Sequence, residues 1–182
     1  MKLLIVLASV REGRAGKNVA DWFVGQVEKD ARFEVDLVDL KELGLSYEMA
    51  AAGASRVQNS EYEREEDRKW AKHVNEADAV VFVTPEYNHG YPASLKNAVD
   101  HLYHEWSGKP TGFVGYGSAG ATYAIGAFGL VAAWTHMDIV NAHVGIPEIW
   151  AAFDEQGNLA NAEYHAYEAK SLLDSLTAKV EK

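Results

Sequence analysis

The chain has 182 residues, 48% of them hydrophobic, with 17 basic and 27 acidic side chains for a formal charge of −10. That length suits one domain over residues 1–182, and the acidic balance argues against nucleic acid or an anionic membrane as partner. With no cysteine there is no disulfide framework, thiolate metal site or thiol nucleophile, so redox chemistry would need a bound cofactor; the absence also fits a reducing, cytoplasmic setting.

Lys2 and the apolar run Leu3–Ala8 have the look of a clipped signal peptide, but the run is at the short limit of one and Arg11 and Arg14 follow at once. A short β-branched run ended by Ser and Gly reads better as a buried parallel strand. Similar runs recur at Phe33–Leu37, Ala79–Thr84, Thr111–Tyr116 and Ile139–Val144. Between them lie helical segments at Gly16–Lys29, Glu61–Ala77, Ser94–Trp106 and Ala121–His136, and Asn161–Val180 closes the chain. Val19, Ala20, Phe23, Val24 and Val27 carry the apolar stripe of the first helix. Five strands alternating with helices predict an α/β, doubly wound parallel sheet with helices on both faces. Ligands then belong outside the carboxyl ends of the strands. The stretch from Gly44 to Ser60 is polar and rich in small residues, an insertion after the second strand. No apolar stretch reaches the ~20 residues of a membrane span, so no membrane insertion is expected.

The first strand runs into Ser9-Val10-Arg11-Glu12-Gly13-Arg14-Ala15-Gly16-Lys17-Asn18 and then a helix. A helix amino end offers unpaired N–H groups, and Arg11, Arg14 and Lys17 add cations, so the segment predicts an anion site. A Walker loop would need glycine at Arg11 and Ser or Thr at Asn18, and a dinucleotide fingerprint is missing. Response-regulator acids are replaced by Ser9 and Thr84. A terminal phosphate monoester fits the Arg and hydroxyl groups better. After the third strand, Pro85 and Pro92 bracket a loop of aromatic and amide groups suited to a flat heteroaromatic ring. A small-residue loop, Gly117-Ser118-Ala119-Gly120-Ala121, follows the fourth strand. His101 and His104 lie at i, i+3, but no carboxylate pattern supports a metal site there.

These segments resemble the NAD(P)H-dependent FMN reductases, a flavodoxin-like family that includes quinone, chromate and azo-dye reductases. That family opens with strand-G-S-x-R, matched here from Ser9 and Arg11 with Ala8 in place of glycine. Its P-E-Y-N hallmark stands at Pro85-Glu86-Tyr87-Asn88, and P-(A/G)-x-L-K-N-A-x-D at Pro92 to Asp100. The resemblance implies a flavodoxin-like five-stranded sheet, FMN as cofactor, NADH or NADPH as co-substrate, and a quinone-like or other small-molecule electron acceptor. It implies a phosphate site at Ser9, Arg11, Arg14, Gly16, Lys17 and Asn18. It also implies ring contacts from Pro85, Glu86, Tyr87 and Asn88, with His89 at the edge and Gly117 and Ser118 on the other side. No residue is expected to act as catalytic acid or base, since the flavin carries the chemistry. Tyr103, Trp106 and their apolar neighbours on the helix after this motif are either core or subunit interface; the resemblance implies a homodimer or homotetramer with this region at the contact. A flavodoxin-type electron carrier, or a ligand-sensing module without turnover, would share much of this pattern.

Overall fold

A computed structural model describes all of residues 1–182. Its five strands are β1 (Lys2–Leu7), β2 (Glu34–Asp39), β3 (Ala79–Pro85), β4 (Pro110–Tyr116) and β5 (Asp138–Ile146). They form one sheet in the order β2-β1-β3-β4-β5, every neighbouring pair parallel. This is the flavodoxin-like order, with its switch point between β1 and β3. The six α-helices are α1 (Gly16–Val27), α2 (Leu40–Leu43), α3 (Glu65–Glu76), α4 (Ala93–Asp100), α5 (Thr122–Trp134) and α6 (Ala162–Val180). None is long and apolar enough to cross a membrane.

The strand pleat divides the core in two. Leu3, Ile5 and Leu7 of β1 point to one face, where Val19, Ala20 and Phe23 of α1 and Leu172, Leu173 and Leu176 of α6 cover them. Leu4, Val6 and Ala8 point to the other, against Trp70 of α3, Leu95 of α4 and Phe128 of α5. Burying each of the larger of these side chains, Val, Leu, Ile or Phe, is worth about 1.5–3 kcal/mol, so a covering on both faces is what makes this continuous apolar patterning favourable. Strand β2, at the sheet edge, is mostly half-buried or exposed. Its weak pattern explains why the sequence places it at Phe33–Leu37 and the structure at Glu34–Asp39.

Two further segments differ from the sequence expectation. The expected helix Ser94–Trp106 stops at Asp100 and resumes as a short 3-10 turn at His104–Trp106. The buried Glu105 carboxylate takes the Tyr103 amide at 3.2 Å, together with the Ser60 and Tyr62 hydroxyls, and so pulls the backbone out of helical bonding. The insertion from Gly44 to Ser60 follows the unexpected one-turn helix α2 and docks on α4. Its Ser46 carbonyl accepts from Asn97 Nδ2 at 3.1 Å and lies 2.8 Å from His101 Nε2, while His101 Nδ1 meets Asp67 at 2.5 Å. His104 instead faces Gln58 and the Ser55 carbonyl, so the two histidines serve separate structural contacts.

Candidate functional site

At the carboxyl end of the sheet a cavity of about 500 Å³ opens beside the switch point. It draws on three loops and on a fourth segment after β5. The loop after β1 contributes Ser9, Arg11, Glu12, Gly13, Arg14 and Ala15. The loop after β3 contributes Pro85, Glu86 and Tyr87, and the end of β4 gives Tyr116, Gly117 and Ser118. Ile149 and Trp150 complete the rim.

The loop after β1 is notable for what its backbone leaves unpaired. No backbone hydrogen bond is donated by any amide from Glu12 to Asn18; the first donor of the α1 ladder is Val19, to Ala15. Residue Ala15, at the helix cap, offers no side-chain acceptor to these groups. A run of amides without backbone partners at the positive end of a 12-residue helix has the chemistry to receive an anion. The Arg11 side chain is exposed and makes neither hydrogen bond nor ion pair within the protein, so its charge is available at this mouth.

The other two cations expected here are differently employed. Arg14 lies across the end of β2, where its guanidinium forms a two-point pair with the Asp39 carboxylate and donates to the Ser9 carbonyl. Asp39 also accepts from the Lys41 amide at 2.9 Å, capping α2. Arg14 therefore fastens β1, β2 and the loop to one another. Lys17 reaches along the outside of α1 to Asp21 at 2.7 Å, a solvated i,i+4 pair of small energy. Gly16, Lys17 and Asn18 stand next to the cavity in sequence but are not among its lining residues; the side chains of Lys17 and Asn18 are exposed, and what the three offer is backbone amides that donate no backbone hydrogen bond.

The loop after β3 is closed on itself. Tyr87 and Gly90 exchange both backbone hydrogen bonds, at 2.8 and 2.9 Å, around Asn88 and His89. These central residues have φ of 50° and 60°, the left-handed pair of a tight I′-type turn. Asn88 and His89 sit at the exposed tip, off the cavity wall, and the His89 ring stacks on Tyr123 at 4.2 Å. The Glu86 carboxylate accepts from the Tyr123 and Ala124 amides at 2.9 and 3.2 Å, capping α5 from outside that helix. Its amide donates to the Tyr116 carbonyl. Glu86 is thus held rigidly where it lines the site. Tyr87 is partly exposed, and its phenol meets Ser9 Oγ at 2.9 Å, joining the two loops.

Tyr116, Ile149 and Trp150 had no signal in the motifs. Tyr116 ends a buried strand, so position at a strand's carboxyl end was its only sequence cue. Trp150 lies on a 3-10 turn that Ile149 anchors by donating to the Gly117 carbonyl at 3.2 Å; this comes from tertiary packing between the ends of β4 and β5.

A family model described as NADPH-dependent FMN reductase matches residues 1–151. An NAD(P)H-dependent FMN reductase of Schizosaccharomyces pombe is 41% identical over 119 residues; the match covers 65% of this chain and 59% of that protein, less than two thirds of its length. A 2-hydroxy-1,4-benzoquinone reductase of a Burkholderia species is 28% identical over 98% of this chain and 93% of its own. Among solved structures, FerB from Paracoccus denitrificans, a flavoenzyme NAD(P)H:(acceptor) oxidoreductase, superposes with a TM-score of 0.76 at 19% identity, over 98% of each chain. Strand order, the amide cradle after β1, the P-E-Y-N turn and a match over most of the chain agree: this protein belongs to the NADPH-dependent FMN reductase family.

Proposed function

We propose that the protein is an FMN-dependent NAD(P)H oxidoreductase that passes reducing equivalents to a quinone-like or other small acceptor. The observation that carries this reading is the row of unpaired amides beside a free Arg11, set across a cavity of about 500 Å³ from the P-E-Y-N turn. The donor set fits FMN. Amides and a guanidinium suit a phosphate dianion, and the cavity lies within the ~300–1,000 Å³ typical of cofactor sites. FMN bound there would supply hydride acceptance at N5 from NADH or NADPH and delivery of the electron pair to an acceptor at the same face.

The chain's own residues bind and orient. Ser9, Arg11 and the amides of Gly16, Lys17 and Asn18 hold the phosphate in this reading. Pro85, Glu86 and Tyr87 wall the ring on one side, with Gly117 and Ser118 on the other. Rigidity comes from the α5 cap through Glu86 and from the Ser9–Tyr87 contact. Arg14 acts at one remove, by fixing the loop to Asp39. The reading includes a cytoplasmic setting and self-association, the latter supported by Tyr123, Leu130 and Trp134, which leave an exposed apolar face on α5.

The test is direct. Purified protein supplied with FMN should show the absorption of bound oxidised flavin and should oxidise NADH or NADPH with a benzoquinone acceptor. An FMN-loaded preparation that consumes neither nicotinamide removes the reductase reading and leaves an electron carrier.

A further inference from the structure

One side-chain polar atom in the whole chain is buried without a partner, the Tyr116 hydroxyl. Tyr116 is 4% exposed, so bulk water does not satisfy it, and a buried unpaired hydroxyl is destabilising. Its location is specific. A Cβ built on Gly16 would lie 2.2 Å from Tyr116 Oη and 3.0 Å from its Cζ, so the phenol occupies the space a side chain at the first residue of α1 would need. The hydroxyl therefore abuts the helix amino end at which the amides of Gly16, Lys17 and Asn18 are also unpaired. Tyr116 lines the same cavity. The orphaned hydroxyl and the unpaired amide of the adjoining Gly16 are two donors at one helix end, and an oxygen-rich anion bound there would accept from both.

We propose that Tyr116 is a further ligand of this site, donating a hydrogen bond from Oη to a phosphomonoester oxygen and so favouring phosphorylated over unphosphorylated flavin. The identity of the ligand rests on the FMN reading; the anion contact rests on the orphaned hydroxyl and the glycine beside it. Burial pushes the phenol above its ordinary range, which keeps it a neutral donor at physiological pH. The Ser9 hydroxyl works against that rise without meeting hydrogen-bond geometry with Tyr116.

The deciding variant is Tyr116→Phe in the full chain, which removes the donor and keeps the ring in the core. FMN and riboflavin are titrated into parent and variant by calorimetry, and the Tm shift given by inorganic phosphate is measured in both. The expected result is FMN affinity weakened about tenfold, the loss of one hydrogen bond to a charged group, with riboflavin affinity within about twofold. Without ligand the variant should melt no lower than the parent, because an unpaired buried hydroxyl has gone. Unchanged FMN affinity, or an equal loss for riboflavin, overturns the assignment. A parent that takes up neither flavin overturns the cofactor reading instead, and the phosphate arm then decides Tyr116: a smaller Tm shift in the variant supports the contact, and equal shifts refute it.

Discussion

The loops that follow β1 and β3 face one another across the cavity, and they treat their backbones in opposite ways. After β3, Tyr87 and Gly90 satisfy each other's amide and carbonyl, and the Glu86 carboxylate is consumed by the amino end of α5. After β1, the amides from Glu12 to Asn18 donate no backbone hydrogen bond at all. The first amides of any helix lack intrahelical partners, and most residues of this row are exposed to water, so the row stands open to an acceptor at little cost. The β3 loop is a wall, rigid before any ligand arrives. In the proposed reading the β1 loop is a socket that a ligand would complete. Two arginines three positions apart in that socket divide the same way: Arg14 is paired to Asp39 with its side chain 13% exposed, and Arg11 is exposed and unpaired.

The largest way to break the socket is Gly16→Ala. Alanine is the better helix former by up to about 1 kcal/mol, but its Cβ would meet Tyr116 Oη at 2.2 Å and Leu7 at 3.0 Å. Both neighbours are buried in the core and cannot swing aside, so overpacking wins. We expect a net loss of about 2 kcal/mol in denaturant unfolding, with loss of FMN binding. The double variant with Tyr116→Phe should recover part of the stability, because the nearest clashing atom is gone. Additive losses would mean that the two positions do not share that space.

Next comes the division between the arginines. Asp39→Ala leaves the Arg14 guanidinium largely buried without its carboxylate; since some solvent reaches the pair, a loss of about 1–2 kcal/mol in stability is expected, below the figure for a fully buried pair. Arg11→Ala should do the reverse. Stability stays within about 0.5 kcal/mol, as for a surface residue without partners. FMN affinity falls about tenfold in low salt, the effect shrinks as salt rises, and riboflavin affinity holds. An Arg11 variant that unfolds early, or binds FMN as the parent does, would collapse the distinction between socket and strut.

That division also marks how far the sequence could be read. The alternation of Leu3, Ile5 and Leu7 with Leu4, Val6 and Ala8 is written locally, because a strand pleat repeats every second residue. Hence the strands, their parallel arrangement and the loops around the cavity were legible. The employment of Arg14 was not. Its partner Asp39 ends β2, 25 positions away, and meets it because β2 lies beside β1 in the sheet. Composition shows three cations in this loop and no rule of spacing says which one is already taken. The same holds for Tyr116, whose hydroxyl gains a meaning when α1 is laid over β4 and Gly16 arrives beneath it. The P-E-Y-N motif poses the opposite difficulty: its Asn88 was legible as part of a ring site, yet the turn holds that residue at an exposed tip outside the cavity lining.

The smallest expected effect tests that last point. Asn88 and His89 hold φ of 50° and 60°, a region costing most L-residues about 1–2 kcal/mol but tolerated by asparagine and free to glycine. Asn88→Gly should therefore change stability by no more than a few tenths of a kcal/mol: relief of residual strain is offset by the greater freedom of glycine in the unfolded chain. Asn88→Ala should cost about 0.5–1 kcal/mol, because the methyl keeps the strain and loses the amide. If the motif serves here as a backbone turn, FMN affinity of the glycine variant stays within about twofold of the parent. A tenfold loss in that variant, with its melting temperature unmoved, would show that the Asn88 side chain reaches the ligand after all, and the loop after β3 would then have to be counted among the parts that a bound flavin completes.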